Sequence, residues 1–290
     1  MIQQRVENVS TLTYKQGFLG AGHQTAQILG NQGFDYTNPF IVLMDDHLDL
    51  PETEVAGGAH PHAGVEIYTF LLEGNSEEAK KGNLEVMNSG TGVVHTEEIK
   101  GKIRARVLQL WVALSPEKRL TEPSLQTIDI ENVPVVKTEE SEIRIYSGSA
   151  YGLKSPLDSH TSISIIDFDL QKDKEIKQIF PSSYNGFIIV IEGSLFIGDI
   201  EIKKEQSARL AIPYENGNSE ITYTAGNRGA RFIVYAGEPI QRQIVFHGPF
   251  VAGTQEDISK LYQSYKNGEM KHIRSYPAKY YTATPGKTMN

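Results

Sequence analysis

The chain contains no cysteine. Disulfides, thiolate nucleophiles, thiolate zinc sites and cysteine-held iron–sulfur clusters are therefore excluded together. Long apolar runs are also missing, and none approaches the roughly 20 residues that a membrane-spanning helix needs. There is no cationic excess: 28 Lys+Arg face 36 Asp+Glu, a formal net charge of -8. A broad field of that sign repels phosphate backbones, so no direct nucleic-acid partner and no membrane are expected. The opening Met1-Ile2-Gln3-Gln4-Arg5-Val6-Glu7 lacks a basic segment followed by an apolar stretch, and a cytoplasmic location is the expectation. There is no P-loop, dinucleotide fingerprint or Ser-His-Asp signature. Without thiolates, a metal would have to be held by imidazoles and carboxylates, and the eight histidines are the place to look.

What is present reads as β structure. The 290 residues, 39% hydrophobic and 22% charged, can bury a sizeable core in two domains or one large one. Short runs rich in Ile, Val, Tyr and Phe recur between Gly, Asn, Pro and Ser. They are 40–44, 67–72, 107–113, 143–146, 163–168, 187–191, 194–197, 208–212 and 232–235. Such spacing predicts an all-β sandwich or barrel. Around residues 100–107, Lys100, Lys102, Arg104 and Arg106 share one parity while Ile103, Ala105 and Val107 share the other. Period two predicts a strand with its basic row outward, either simply solvated or serving as a partner patch. One helix is expected near the end. Thr254 is its N-cap, with Asp257 three residues on, Ile258, Leu261, Tyr262 and Tyr265 on one face, and Asn267-Gly268 as the stop. The polar tail 274–290 is either frayed or an arm packed on a neighbouring surface.

Phe70-Leu71-Leu72-Glu73-Gly74 parallels Ile189-Val190-Ile191-Glu192-Gly193 at an offset of 119, which suggests an internal duplication. The boundary would fall near 127–140. Domains are thus expected at 1–133, metal-binding, and at 134–290, without a metal site and ending in the helix and tail. The offset puts Ile179 and Pro181 where His60 and His62 stand, and neither can bind a metal.

Chemistry concentrates in two segments. Gly57-Gly58-Ala59-His60-Pro61-His62 places two imidazoles at i and i+2, on one side of an extended chain, and Pro61 biases His60 toward that geometry. Gly90-Thr91-Gly92-Val93-Val94-His95-Thr96-Glu97 repeats the spacing with His95 and Glu97. On neighbouring strands these pairs would converge as three neutral nitrogens and one oxygen, a donor set for a transition metal rather than Ca²⁺ or Mg²⁺. Such pairs also occur as surface decoration, and on pattern alone both readings stay open. His23, His47, His160, His247 and His272 read as ordinary surface or hydrogen-bonded histidines, and Trp111 as core.

The stretch His60-Pro61-His62-Ala63-Gly64-Val65-Glu66-Ile67-Tyr68-Thr69-Phe70-Leu71-Leu72-Glu73-Gly74 resembles the signature of the pirin family, within the cupin superfamily. Asn38–Met44, Gly90–Glu97 with Leu108–Val112, and Gly248–Val251 leading into the helix are similar to that family too. The resemblance covers roughly residues 15 to 272. It implies two jelly-roll-like cupin barrels face to face, with one mononuclear metal in the N-terminal one, Fe(II) first and Mn, Ni, Cu, Co or Zn open. Its implied ligands are His60, His62, His95 and Glu97. Glu66 is shifted by one residue from the usual cupin glutamate and should point to the other face.

The implied activity is that of a quercetin 2,3-dioxygenase, opening a flavonol-like aromatic substrate with O2, with Glu97 as ligand and base. The alternative is a non-enzymatic, iron-dependent regulator or transcription cofactor acting through protein–protein contacts. On either reading, metal affinity is expected to weaken as pH falls through roughly 6, where free imidazole protonates.

Overall fold

In the computed structural model, which describes residues 1–53, 57–74, 80–97, 101–213 and 215–281, the β-branched and aromatic runs build two large sheets. The expected runs lie in strands, with two differences. Residues 187–191 and 194–197 belong to one strand, Asn185–Ile197, and Ile212 lies beyond Gln206–Leu210. Gly193 reads as a turn in sequence. In the fold, its φ of +71° and a register shift beside it let the strand continue. Strands such as His23–Leu29, Leu84–Asn88, Ser124–Ile128 and Glu175–Pro181 were missed because polar residues break their apolar alternation.

Contacts gather the chain into two units. The first comprises Tyr14–Tyr36, Phe40–Asn132 and the described part of Ile240–Asn290; the second comprises Met1–Thr13, Thr37–Pro39 and Val133–Pro239. A division at 133/134 meets the middle seam but misassigns both ends of the chain, and strand pairing is the reason. Val6–Thr11 pairs with Gln206–Leu210, inside the second unit. Ala278–Tyr281 pairs with Ser124–Ile128, and Phe250 bridges to Ala63, inside the first. The tail is thus an arm as far as Tyr281, and residues 282–290 lie outside the described set. The helix Gln255–Lys266 also belongs to the first unit. It is capped as its sequence implies: Thr254 Oγ1 accepts from Asp257 N, and Gly268 follows the end with φ +71°. No helix among the described residues is long and apolar enough to cross a membrane.

The two sheets repeat one plan. In the first, Leu84–Asn88, Val65–Gly74, Gly101–Ala113, Phe40–Thr53 and His23–Leu29 are successive neighbours. In the second, Gln206–Leu210, Asn185–Ile197, Asn218–Gly237, Ile163–Leu170 and Ser141–Ser147 take the same places. Neither path returns to its first strand, so these are open jelly-roll sheets rather than closed barrels. The register repeats as well. Glu73-Gly74 faces Arg106-Ala105, and Glu192-Gly193 faces Arg231-Ala230. A Cβ on Gly74 would meet the Arg104 carbonyl at 2.2 Å, and one on Gly193 the Gly229 carbonyl at 1.9 Å. Only glycine fits this close approach of two strands.

Beside each glycine a forked ion pair crosses the sheet. Arg106 donates Nε to Asp45 Oδ1 at 2.9 Å and a terminal nitrogen to Oδ2 at 2.7 Å. Arg231 grips Asp167 in the same way, at 3.3 and 2.8 Å. Asp45 lies opposite Leu108 and Asp167 opposite Ile233, each two residues past the arginine. The expected outward basic row therefore ends early: Lys102 and Arg104 are exposed, but Arg106 is only 3% exposed because Asp45 draws it in. Lys100 lies outside the described residues.

Burial alone would raise the Asp45 pKa. Hydrogen bonds from His47 and Arg106, the Arg106 charge and a hydrogen bond from Tyr14 outweigh it and lower the value from 3.8 to about 2. This stabilises the fold fully above pH 3.8, and the contribution is lost as pH falls through about 2. Asp45→Asn leaves the Arg106 guanidinium buried without a counter-charge and is expected to cost about 3–5 kcal/mol, read by urea unfolding at pH 7. A loss below about 1 kcal/mol would show that the pair carries little of the sheet's stability.

Candidate metal centre

His60–His62 pairs antiparallel with Val93–His95, so that His60 lies opposite His95 and His62 opposite Val93. Side chains at i and i+2 share a face, and the pairing brings His95 onto that same face. The ring centroids are 4.3 Å apart for His60 and His95, 4.9 Å for His62 and His95 and 5.0 Å for His60 and His62. One nitrogen from each ring falls within 4.8 Å of the others. His60 Nδ1 stands 2.8 Å from the Gly58 carbonyl, which can only accept, so this nitrogen carries the proton. Its Nε2 then presents a lone pair toward the trio, 2.8 Å from His95 Nε2. A backbone carbonyl orienting an imidazole through its far nitrogen is the usual support of a metal ligand.

Burial also suits ligation. It is the main cause lowering the His62 pKa from 6.5 to about 2, with the His95 and His60 rings adding to the shift. The Pro249 carbonyl acts the other way, yet His62 Nδ1 stays buried without a hydrogen bond of good geometry. Burial, then His60 and His272, lower His95 to about 3. Both rings are held neutral, the form that binds metal. Three imidazole nitrogens, one of them on a ring already oriented by a carbonyl, fit a divalent transition metal.

Residues on a neighbouring strand also shape the surroundings of the trio. Glu97 stands outside the trio. Its Oε1 accepts from Gln109 Nε2 at 2.9 Å, Gln109 Oε1 accepts from Trp111 Nε1 at 3.2 Å, and the His62 ring lies edge-on to Trp111 at 4.7 Å. Gln109 and Trp111 sit at i and i+2 of Gly101–Ala113, and a glutamine inside an apolar run was the available signal.

His272, read as an ordinary residue of the half without a site, belongs to the same unit as the trio. Its Nε2 is 3.3 Å from Thr96 Oγ1, where Val94 N donates to the Lys271 carbonyl at 3.0 Å. Glu66 is wholly buried, accepts from Tyr68 Oη at 3.1 Å and does not join the trio. His23 pairs with Asp46 at 2.9 Å, and His247 Nδ1 lies 3.0 Å from Tyr262 Oη.

In the second unit, Glu175–Pro181 pairs with Asn218–Gly237 much as the histidine ribbon pairs in the first. The offset of 119 lands on outward positions here. Ile179 is 51% exposed and faces outward, while Gln178 and Phe180 face the interior at 3% and 6%. The inward positions therefore hold an amide and a phenyl ring, and the three-residue histidine cluster has no copy among the described residues of that unit.

A sequence profile described as Pirin matches residues 22–112, and one described as Pirin C-terminal cupin domain matches 165–271. A pirin-like protein of Arabidopsis thaliana is 30% identical over 293 residues, covering 93% of each chain. The chain belongs to the pirin family. Among solved structures, a quercetin 2,3-dioxygenase from Acinetobacter baumannii superposes with a TM-score of 0.80 at 23% identity, covering 93% of this chain and 99% of that one. A bacterial pirin of Escherichia coli, in complex with nickel(II), does so with a TM-score of 0.61 at 18% identity, covering 80% and 99%. These likenesses establish a fold of two cupin units.

The depressed values revise the expected pH dependence. Free imidazole takes a proton near pH 6.5, but His62 and His95 stay neutral far below it. As pH falls from 6.5, the unfolded chain binds protons that these two folded rings refuse, so the metal-free fold loses stability. In metal-free protein the ring-proton NMR signals of His62 and His95 are expected at their neutral positions at pH 5. Titration of both between pH 6 and 7 would contradict this burial.

Proposed function

We propose that His60, His62 and His95, completed by Glu97, hold one divalent transition metal, and that the protein opens flavonol-type rings with O2 in the manner of a quercetin 2,3-dioxygenase. The observation that carries this reading is the convergence of three imidazoles, one nitrogen from each within 4.8 Å of the others. Fe(II) is the first candidate, with Mn, Ni, Cu, Co or Zn as alternatives. The nickel(II) complex of the Escherichia coli pirin and the shared fold of the Acinetobacter baumannii dioxygenase support it.

When bound, the ion would supply Lewis acidity and one-electron chemistry at positions the protein leaves open. The chain's own residues do the rest. Glu97 takes the 3-hydroxyl proton of the flavonol, making the ring electron-rich toward O2. Gln109 holds Oε1 of that carboxylate, leaving Oε2 to complete the metal site and, on loosening, to take the proton of the substrate hydroxyl. Trp111 walls the His62 side of the site with an apolar ring. Both oxygen atoms enter the products, carbon monoxide leaves from the opened ring, and the proton returns from Glu97 to the ester product.

Protein loaded anaerobically with Fe(II), then given quercetin and O2, is expected to bleach the flavonol absorbance and release carbon monoxide. Glu97→Gln should lower turnover by about 10²-fold or more. Full metal occupancy without either signal, together with metal-dependent retention of a protein partner, would replace the enzyme by the regulator.

A further inference from the structure

In the first unit, the side of the sheet that bears Gln109 and Trp111 continues across neighbouring strands. Gln109 lies opposite Met44 and Thr69, and Val107 lies opposite Asp46. Paired residues share a side, as do residues two apart. Met44, Asp46, Thr69, Val107, Gln109 and Trp111 are all half-buried on it. The reverse side of the same strands is sealed, with Leu43, Asp45, Leu108 and Leu110 at most 1% exposed. The side that borders the metal centre is thus the open one, and Asp46 brings a carboxylate onto it. On the next strand, His23 and Thr25 join this side, opposite Leu48 and Asp46. Leu19 N donates to His23 Nδ1 at 3.4 Å, so the ring carries its proton on Nε2 and donates it to Asp46 Oδ1 at 2.9 Å. The His23 side chain is 2% exposed and that of Asp46 22%. Asp46 Oδ2 accepts no hydrogen bond among the described residues. Thr25, directly opposite, does not supply one: its buried Oγ1 makes no hydrogen bond. A buried imidazole therefore holds one carboxylate oxygen and leaves the other as an open acceptor.

We propose that Asp46, positioned by His23, accepts a hydrogen bond from a phenolic hydroxyl on an outer ring of the substrate, a contact that rests on the flavonol reading above and selects polyhydroxylated flavonols over those bearing the 3-hydroxyl alone. Two residues along a strand set Asp46 about 7 Å from the level of Gln109, which holds Glu97. That span is comparable to the one between the 3-hydroxyl of a flavonol and its outer-ring hydroxyls. An ionised carboxylate only accepts, so the ligand must bring the donor. The side chains of Met44, Val107 and Trp111 on the same side give the aromatic rings apolar surface to lie against.

Trp111 is the only tryptophan of the chain, so quenching of its fluorescence reads occupancy of the site directly. The full chain, loaded anaerobically with Fe(II), is titrated with quercetin and with 3-hydroxyflavone, which lacks every hydroxyl but the reacting one. Quercetin is expected to bind about tenfold tighter or more, the worth of a hydrogen bond to a charged group. Asp46→Leu removes the acceptor and should bring this preference below about threefold. Asp46→Asn keeps the shape and the bond from His23 but turns an amide donor toward the ligand. It should lower the preference by about threefold or more, and it serves where Asp46→Leu does not fold. The same preference without release of carbon monoxide on adding O2 would leave the contact standing and remove the dioxygenase. Carbon monoxide release without the preference would do the reverse. The proposal is overturned if neither flavonol quenches Trp111, if the parent chain binds both alike, or if the preference survives in the folded variants.

Discussion

In the ribbon formed by His60–His62 and Val93–His95, the pairing of His60 with His95 decides which way three imidazoles face. Strand geometry alternates sides at every residue, so a slip of one position would turn the whole set away. The ribbon is held from behind. Gly64 has a φ of +75°, and a Cβ there would lie 2.1 Å from the Val251 carbonyl. Only glycine lets Phe250–Ala252 close against the turn that follows His62. The second unit makes the same argument in reverse: the inward residues of Glu175–Pro181 are Gln178 and Phe180, an amide and a phenyl ring.

Beneath the different sites the two sheets share their framework. Each is crossed by a forked Arg–Asp pair in the same diagonal register, next to a Glu-Gly step where two strands approach closely. The fork satisfies both carboxylate oxygens and fixes one relative offset of two strands, which a lone point charge would not do. The scaffold can therefore keep its register while the residues facing its interior change from imidazoles to an amide and a phenyl ring.

Much of this was legible in the chain. The strands with clean apolar runs, the Thr254-capped helix and the same-side spacing of His60 and His62 follow from local pattern alone. So did the duplication, although five residues showed only its Glu-Gly step. What local pattern does not carry is pairing at a distance. Arg106 looks like its exposed neighbour Arg104 until Asp45, on another strand, is brought beside it. His272 seemed remote because 176 residues separate it from Thr96, the hydroxyl it faces. Glu97 carries the spacing of a ligand, but its neighbour Gln109 becomes visible only when two strands are laid together.

The exchange of chain ends sets an order of assembly on the ribosome. Everything in the second unit has emerged by Pro239, whereas the first still lacks Phe250–Ala252 and Ala278–Tyr281. The half encoded mainly later is thus complete earlier. The half bearing the histidines waits for segments that follow Pro239, and its strand edges stay unpaired in the interval.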